Sequence, residues 1–247
     1  MAKNPNGKSR SVQRDHSMFA AIVFFFTGCI AELFLFMVRR YYVNGYMEEA
    51  LAWDGYLKVF AGAGAAVLIA GIALSFLWKK DAVKRVFGWA LAALGVFLAL
   101  SSVLIRMYMI TAVTLFSIVV PVAMVLCVVW AFYDRECSVA LSILCASLIA
   151  IWLCRRLGGS LTLGIPIRVC AVVYLLLVAG LIWALKEKKI TFILPGHADL
   201  SPVYLAGGLS AAGVIVGIVS TTAAYYAMWC LGVVVFALAV YYTVKQL

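Results

Sequence analysis

Glu32 is the only acidic residue well inside an apolar stretch of this chain, within FFFTGCIAELFLFMVRR. A carboxylate at membrane depth is costly unless it is paired, protonated or hydrated. Three readings fit such a group: an ion pair with an arginine, a site that takes up a proton or another cation, or a carboxylate solvated at headgroup level. Arg39 lies seven positions on, two turns away on the same helical face. The spacing predicts that Glu32 faces a bundle interior with Arg39, Arg40, Arg106, Arg155 or Arg156 within ion-pair reach.

A second set is basic: Arg39, Arg40, Lys58, Arg155, Arg156 and Arg168. All six sit near the ends of apolar runs. The planar guanidinium fork matches phosphate or carboxylate. The set therefore suits either an anion site or anchors on lipid phosphates, and Glu32 with these six residues forms the expected ligand-binding set. Tyr225 and Tyr226 would line the same site.

Other residues carry less chemistry. Segment 39–56, RRYYVNGYMEEALAWDGY, reads as a loop with a short interfacial helix over Met47–Trp53. Its adjacent Glu48 and Glu49 point apart on such a helix, which disfavours a metal or acid pair. Pro195-Gly196 makes a turn before His197 and Asp199, with Ser201 as a helix cap and Pro202 at the first helical position. Seven cysteines show no C-x-x-C and no zinc spacing, and the only other histidine, His16, lies in the N-terminal tail. No cofactor or metal is expected. An enzyme acting on a lipid-linked substrate would need a nucleophile–base pair, a histidine cluster or paired carboxylates, and none stands out.

The elements that must position these residues are membrane helices. Of 247 residues, 66% are apolar and 12% charged. Soluble domains have about 45–50% and about 25%. That excludes an ordinary cytosolic enzyme, a disordered chain and a nucleic-acid binder. Runs of about 20 apolar residues cross a bilayer, and eight occur, near 18–38, 57–78, 86–105, 109–131, 138–154, 167–185, 203–222 and 224–243. None alternates as a barrel strand would. The fold class is therefore all-α, a polytopic transmembrane bundle of eight spans.

Orientation follows the distribution of Lys and Arg. With the N-terminus inside, 13 of the 20 basic residues fall on the cytoplasmic side and 7 on the outer side. Both termini are then cytoplasmic, in a plasma (inner) membrane. Residues 1–17 form a basic tail, and the run after it lacks a small-x-small cleavage site, so it reads as a retained first helix. Pro121 should kink the fourth span. Gly62-Ala66-Ala70 and Gly213-Gly217 have the spacing of close helix contacts.

An internal duplication is also expected. Arg39-Arg40 recurs as Arg155-Arg156 and Cys29 as Cys145, at an offset of 116. At an offset of 118, the segment from Ala90 matches that from Gly208 at five of fifteen positions, Gly95 with Gly213 among them. Two parallel four-helix halves follow, 18–133 and 138–247, with their boundary in a turn over Asp134–Cys137. The expected function is that of a small transporter or ligand-binding membrane protein, its outward-facing basic site lying between the halves. The alternative is a non-catalytic subunit or scaffold for partner helices. Expected partners are the lipid bilayer, an anionic small molecule or lipid headgroup, and other membrane proteins, with no nucleic acid.

Overall fold

The computed structural model describes residues 5–79, 81–159, 164–187 and 200–246, with side chains described from 17 to 244 within those ranges. The Pro195-Gly196 turn, His197 and Asp199 lie outside the described residues. Among the described residues eight α-helices follow in order: α1 Pro5–Val38, α2 Met47–Leu77, α3 Ala82–Tyr108, α4 Ile110–Phe132, α5 Arg135–Leu157, α6 Gly164–Lys186, α7 Ser201–Val219 and α8 Thr221–Gln246. A π-helical turn, Arg39–Val43, extends α1. All eight helices are long and apolar enough to cross a bilayer, and no strand occurs among the described residues. The chain is an integral membrane protein.

Several boundaries differ from those read in the sequence. The segment 39–56 is not a loop, because α2 starts at Met47 and runs 31 residues without interruption. At 1.5 Å per residue it is about 46 Å long, well beyond the hydrocarbon thickness. Its first turns therefore form a helical extension of the span. Helix α1 also reaches back to Pro5, into the expected tail. Ser201 is the first residue of α7 rather than its cap, which is Leu200. Span seven stops at Val219, and a single extended residue, Ser220, joins it to α8. Ser220 Oγ accepts the Ala223 N–H at 3.4 Å and so caps α8. Helix α4 continues through Pro121. One residue, Met109, joins α3 to α4 at φ 40°, a conformation that a side chain disfavours.

The chain divides into two compact units, Met1–Phe132 and Tyr133–Leu247. In the first, α1 packs on α3 and α4, and α2 packs chiefly on α3. The α2–α3 interface is built on small residues. A Cβ added to Gly64 would sit 2.5 Å from the Ala99 nitrogen, and Gly71, Gly88 and Gly95 also meet the backbone of the facing helix. With no side chain at these positions the two helix backbones meet directly, as small residues allow in membranes. The sequence-based choice of Gly62, Ala66 and Ala70 as the contact face is overturned. Gly62 has open space around it, and all three are exposed. The reason is rotation: Gly64 follows Gly62 by about 200° around an α-helix, so the two occupy opposite faces.

The core of this unit holds Leu35 and Val38 of α1, Leu57 of α2, Ile105 of α3, and Val113 and Phe116 of α4. Phe97 makes edge contacts with Phe34 at 6.3 Å and Phe116 at 5.7 Å, linking α1, α3 and α4. The contacts Phe19–Phe87 and Phe34–Phe97 advance in the same direction along both helices, so α1 and α3 point the same way. Arg39, Arg40, Asp54, Lys58 and Arg106 consequently gather at one end of the unit.

In the second unit α5 is central and packs on α6, α7 and α8. Its apolar window is 56% buried, the largest share among the eight spans described. Surrounded by protein, it can carry the buried serines Ser138 and Ser147, which would cost more facing lipid. Tyr174 of α6 donates to the Ile143 carbonyl of α5 at 2.8 Å and lies 3.2 Å from Ser210 Oγ of α7. That hydroxyl ties three helices together. The residues aligned as duplicates differ in surroundings. A Cβ at Gly95 would meet Leu68 of α2, whereas one at Gly213 would meet Leu231 of α8 and Ile151 of α5.

Candidate functional site

The first unit carries a recess where α1 gives way to α2. Val38 is fully buried, and after it the helix widens: the Asn44 N–H donates to the Arg39 carbonyl at 3.1 Å, an i→i−5 bond. Such π turns recur at functional sites. Tyr42 is buried in the core and pins the turn from inside. Tyr41 stacks on Trp53 of α2 at 5.7 Å with planes 3° apart, and the Arg40 guanidinium lies 5.6 Å from the same ring.

Chain reversal is tight at Gly45, where an added Cβ would overlap the Tyr41 carbonyl oxygen and come within 2.8 Å of Glu49 Oε2. Glu49 Oε2 accepts the Tyr46 N–H at 3.3 Å and so closes the start of α2. Together these contacts frame a recess of about 580 Å³, lined by Phe36, Arg39, Arg40, Tyr41, Asn44, Tyr46 and Glu49, with Gly45 at the turn. Pockets for small ligands fall in the same size range. Arg39 and Arg40 are exposed, and among the described residues neither lies within ion-pair distance of a carboxylate.

Lys58 is placed differently. Its Nζ pairs with Asp54 Oδ2 at 3.3 Å, and Arg106 Nε donates to Asp54 Oδ1 at 2.9 Å. Asp54 is thus held by two cations, one on its own helix and one at the end of α3. Sequence reasoning missed this group. The Asp54–Lys58 spacing of four was visible, but a helix was not expected to run through both. Arg106 could be joined to them only by the fold.

Within its own unit, Glu32 forms no ion pair with Arg39, Arg40 or Arg106. Glu32 is half-buried, its Oε1 is buried without a hydrogen-bond partner, and no basic group among the described residues is within ion-pair distance. The geometry explains this. Arg39 is about 10 Å further along the helix and opens toward the recess, while Arg106 is committed to Asp54. Glu32 lies one turn below Phe36 on the same helix stripe.

The remaining basic residues belong to the second unit. The Arg155 guanidinium sits 4.6 Å from the Tyr225 ring centre, a close cation–π contact. Tyr225 in turn meets Tyr226 and Trp229 edge-on, at 5.6 Å and 6.3 Å. Arg156 is exposed. Arg168 donates to the Gly158 carbonyl at 3.4 Å, helping to close the end of α5. Of the expected set, the recess brings together Arg39 and Arg40, and adds Glu49 and Tyr46. Compared with family models, curated proteins and solved structures, the chain matches none of them.

Proposed function

We propose that this protein is a small transporter or ligand-binding membrane protein whose basic recess, formed by Arg39 and Arg40, takes an anionic group at the outer membrane face. The observation that carries the reading is the pair of arginines lining one ligand-sized recess, with no carboxylate in ion-pair contact among the described residues. Charge-assisted bonds from two arginines favour phosphate over neutral groups. The cluster of Tyr41, Tyr46, Trp53 and Tyr56 matches an interfacial aromatic belt, which supports a recess at headgroup depth. The positive-inside count favours that end outside, which fits both termini being cytoplasmic, and the reading takes the membrane to be a plasma (inner) membrane.

The two units also read as copies of one four-helix ancestor. In each, the first helix packs on the third and fourth, and the third packs on the second and fourth. Arg155 and Arg156 would then be the second unit's version of Arg39 and Arg40, with Arg168 answering Lys58. In the second unit, however, Arg155 lies against Tyr225 and Arg168 against a carbonyl.

The test is lipid retention by the purified protein, counted by native mass spectrometry. An anionic phospholipid should be retained by the wild type and weakened about tenfold by Arg39→Gln/Arg40→Gln. Arg155→Gln/Arg156→Gln should retain it. Equal retention by all three proteins would rule out the recess as the anion site.

One observation favours a second reading, a scaffold for partner helices. Gly55, Gly62, Ala66 and Ala70 form an exposed small-residue stripe on α2, away from α3. Small residues permit close helix approach in lipid. Loss of a co-purifying membrane partner on Gly62→Leu, with lipid retention unchanged, would favour it.

A further inference from the structure

The recess is not uniformly basic, and its one carboxylate deepens the reading above. Glu49 lines the same recess as Arg39 and Arg40, and among the described residues only its Oε2 is engaged, by the Tyr46 N–H. A recess built for a simple anion would gain by having no carboxylate, since a like charge repels the ligand. The guanidinium of Arg40 is held by the Tyr41 ring, which is itself stacked on Trp53, so the cationic side of the recess is pre-set. The Tyr46 side chain is largely exposed, and the residue lines the recess together with Glu49. A positive pole and a negative pole thus line one space, and the exposed Tyr46 lines it with them.

We propose that the recess selects a phosphate ester bearing a primary amine, the phosphate against Arg39 and Arg40 and the ammonium against Glu49 and the Tyr46 ring. A primary ammonium has three N–H donors for the free carboxylate oxygen and can also lie over an aromatic face. A quaternary amine keeps the second contact and loses the first. A glycerol or other neutral headgroup loses both. This proposal rests on the anion-binding reading, and both a phospholipid headgroup and a soluble phosphoamine carry the chemistry.

The experiment uses the full chain in micelles containing equal amounts of phosphatidylethanolamine, phosphatidylcholine and phosphatidylglycerol, with retained lipid counted by native mass spectrometry. The wild type should retain the ethanolamine lipid about fivefold over each of the others. Glu49→Gln, which keeps an oxygen to accept the Tyr46 N–H, should erase the advantage over the glycerol lipid. Arg39→Gln/Arg40→Gln should lose both lipids. Added O-phosphoethanolamine then separates the sources. Displacement of bound lipid by the soluble ester supports a soluble ligand of this class. Displacement only by further ethanolamine lipid supports a headgroup, and displacement by neither overturns the assignment. A wild type that retains the glycerol lipid equally well, with loss in the arginine variant, overturns the zwitterion and leaves the anion site standing. No effect of the arginine variant overturns both. The wild-type ratios need no variant to fold.

Discussion

Arg106 Nε donates to Asp54 Oδ1 at 2.9 Å, joining the end of α3 to the second turn of α2 across 52 positions of sequence. With Lys58 on the other carboxylate oxygen, it fixes how the start of α2 sits on the bundle. That start carries Glu49, with Tyr46 as its cap, and these two line the α2 side of the recess. The pairs are partly exposed, so their worth is modest and sensitive to salt. Asp54→Asn should lower the melting temperature slightly in low salt, with the difference fading near about 1 M salt. A double-mutant cycle with Arg106→Gln checks the coupling; a loss that ignores salt would contradict it.

The α2–α3 contact gives a sharper contrast. Gly64→Val should destabilise by about 1–3 kcal/mol, because its side chain would enter the Ala99 backbone. Gly62→Val, on the open face, should stay within about 0.5 kcal/mol. Thermal unfolding of the two proteins in the same micelle decides it, and equal effects would contradict the helix rotation described.

Glu32 carries a prediction opposite in sign to that for a buried ion pair. Truncating one member of a fully buried ion pair costs about 3–5 kcal/mol. Glu32 has no such partner among the described residues, and one oxygen is buried without a hydrogen bond. Replacing it by Gln removes a charge that nothing there offsets, so thermal stability should hold or rise. A large loss in Glu32→Gln would show that an ion pair exists after all.

What could be read from residue types alone follows from this contrast. Helix positions were legible because apolar runs end in charged clusters, as at Arg39-Arg40 and Lys79-Lys80. The start of α2 was not, since MEEALAWDGY is too polar to register as part of a span. Nor was the face that α2 turns to α3, because AGAGAAVLIAGIA is small and apolar on every side. Arg39 and Arg40 stood out by type. Glu49 as their companion did not, because its place depends on the π turn and on the reversal at Gly45.

Orientation has its own test. Reporters fused after Lys80, Lys189 and Leu247 should all report cytoplasm, and one inserted near Asn44 should report the outside. One reporter on the wrong side would break the eight-span topology or invert it, placing the recess at the inner face.

The most direct measurement of the central claim is photocrosslinking of the wild-type protein with a phospholipid that carries a diazirine beside its phosphate, followed by peptide mapping. Label should concentrate in residues 36–49 and disappear from that segment in Arg39→Gln/Arg40→Gln, with other labelling unchanged. Label spread evenly over all interfacial segments, or concentrated at residues 155–168 instead, would contradict the account.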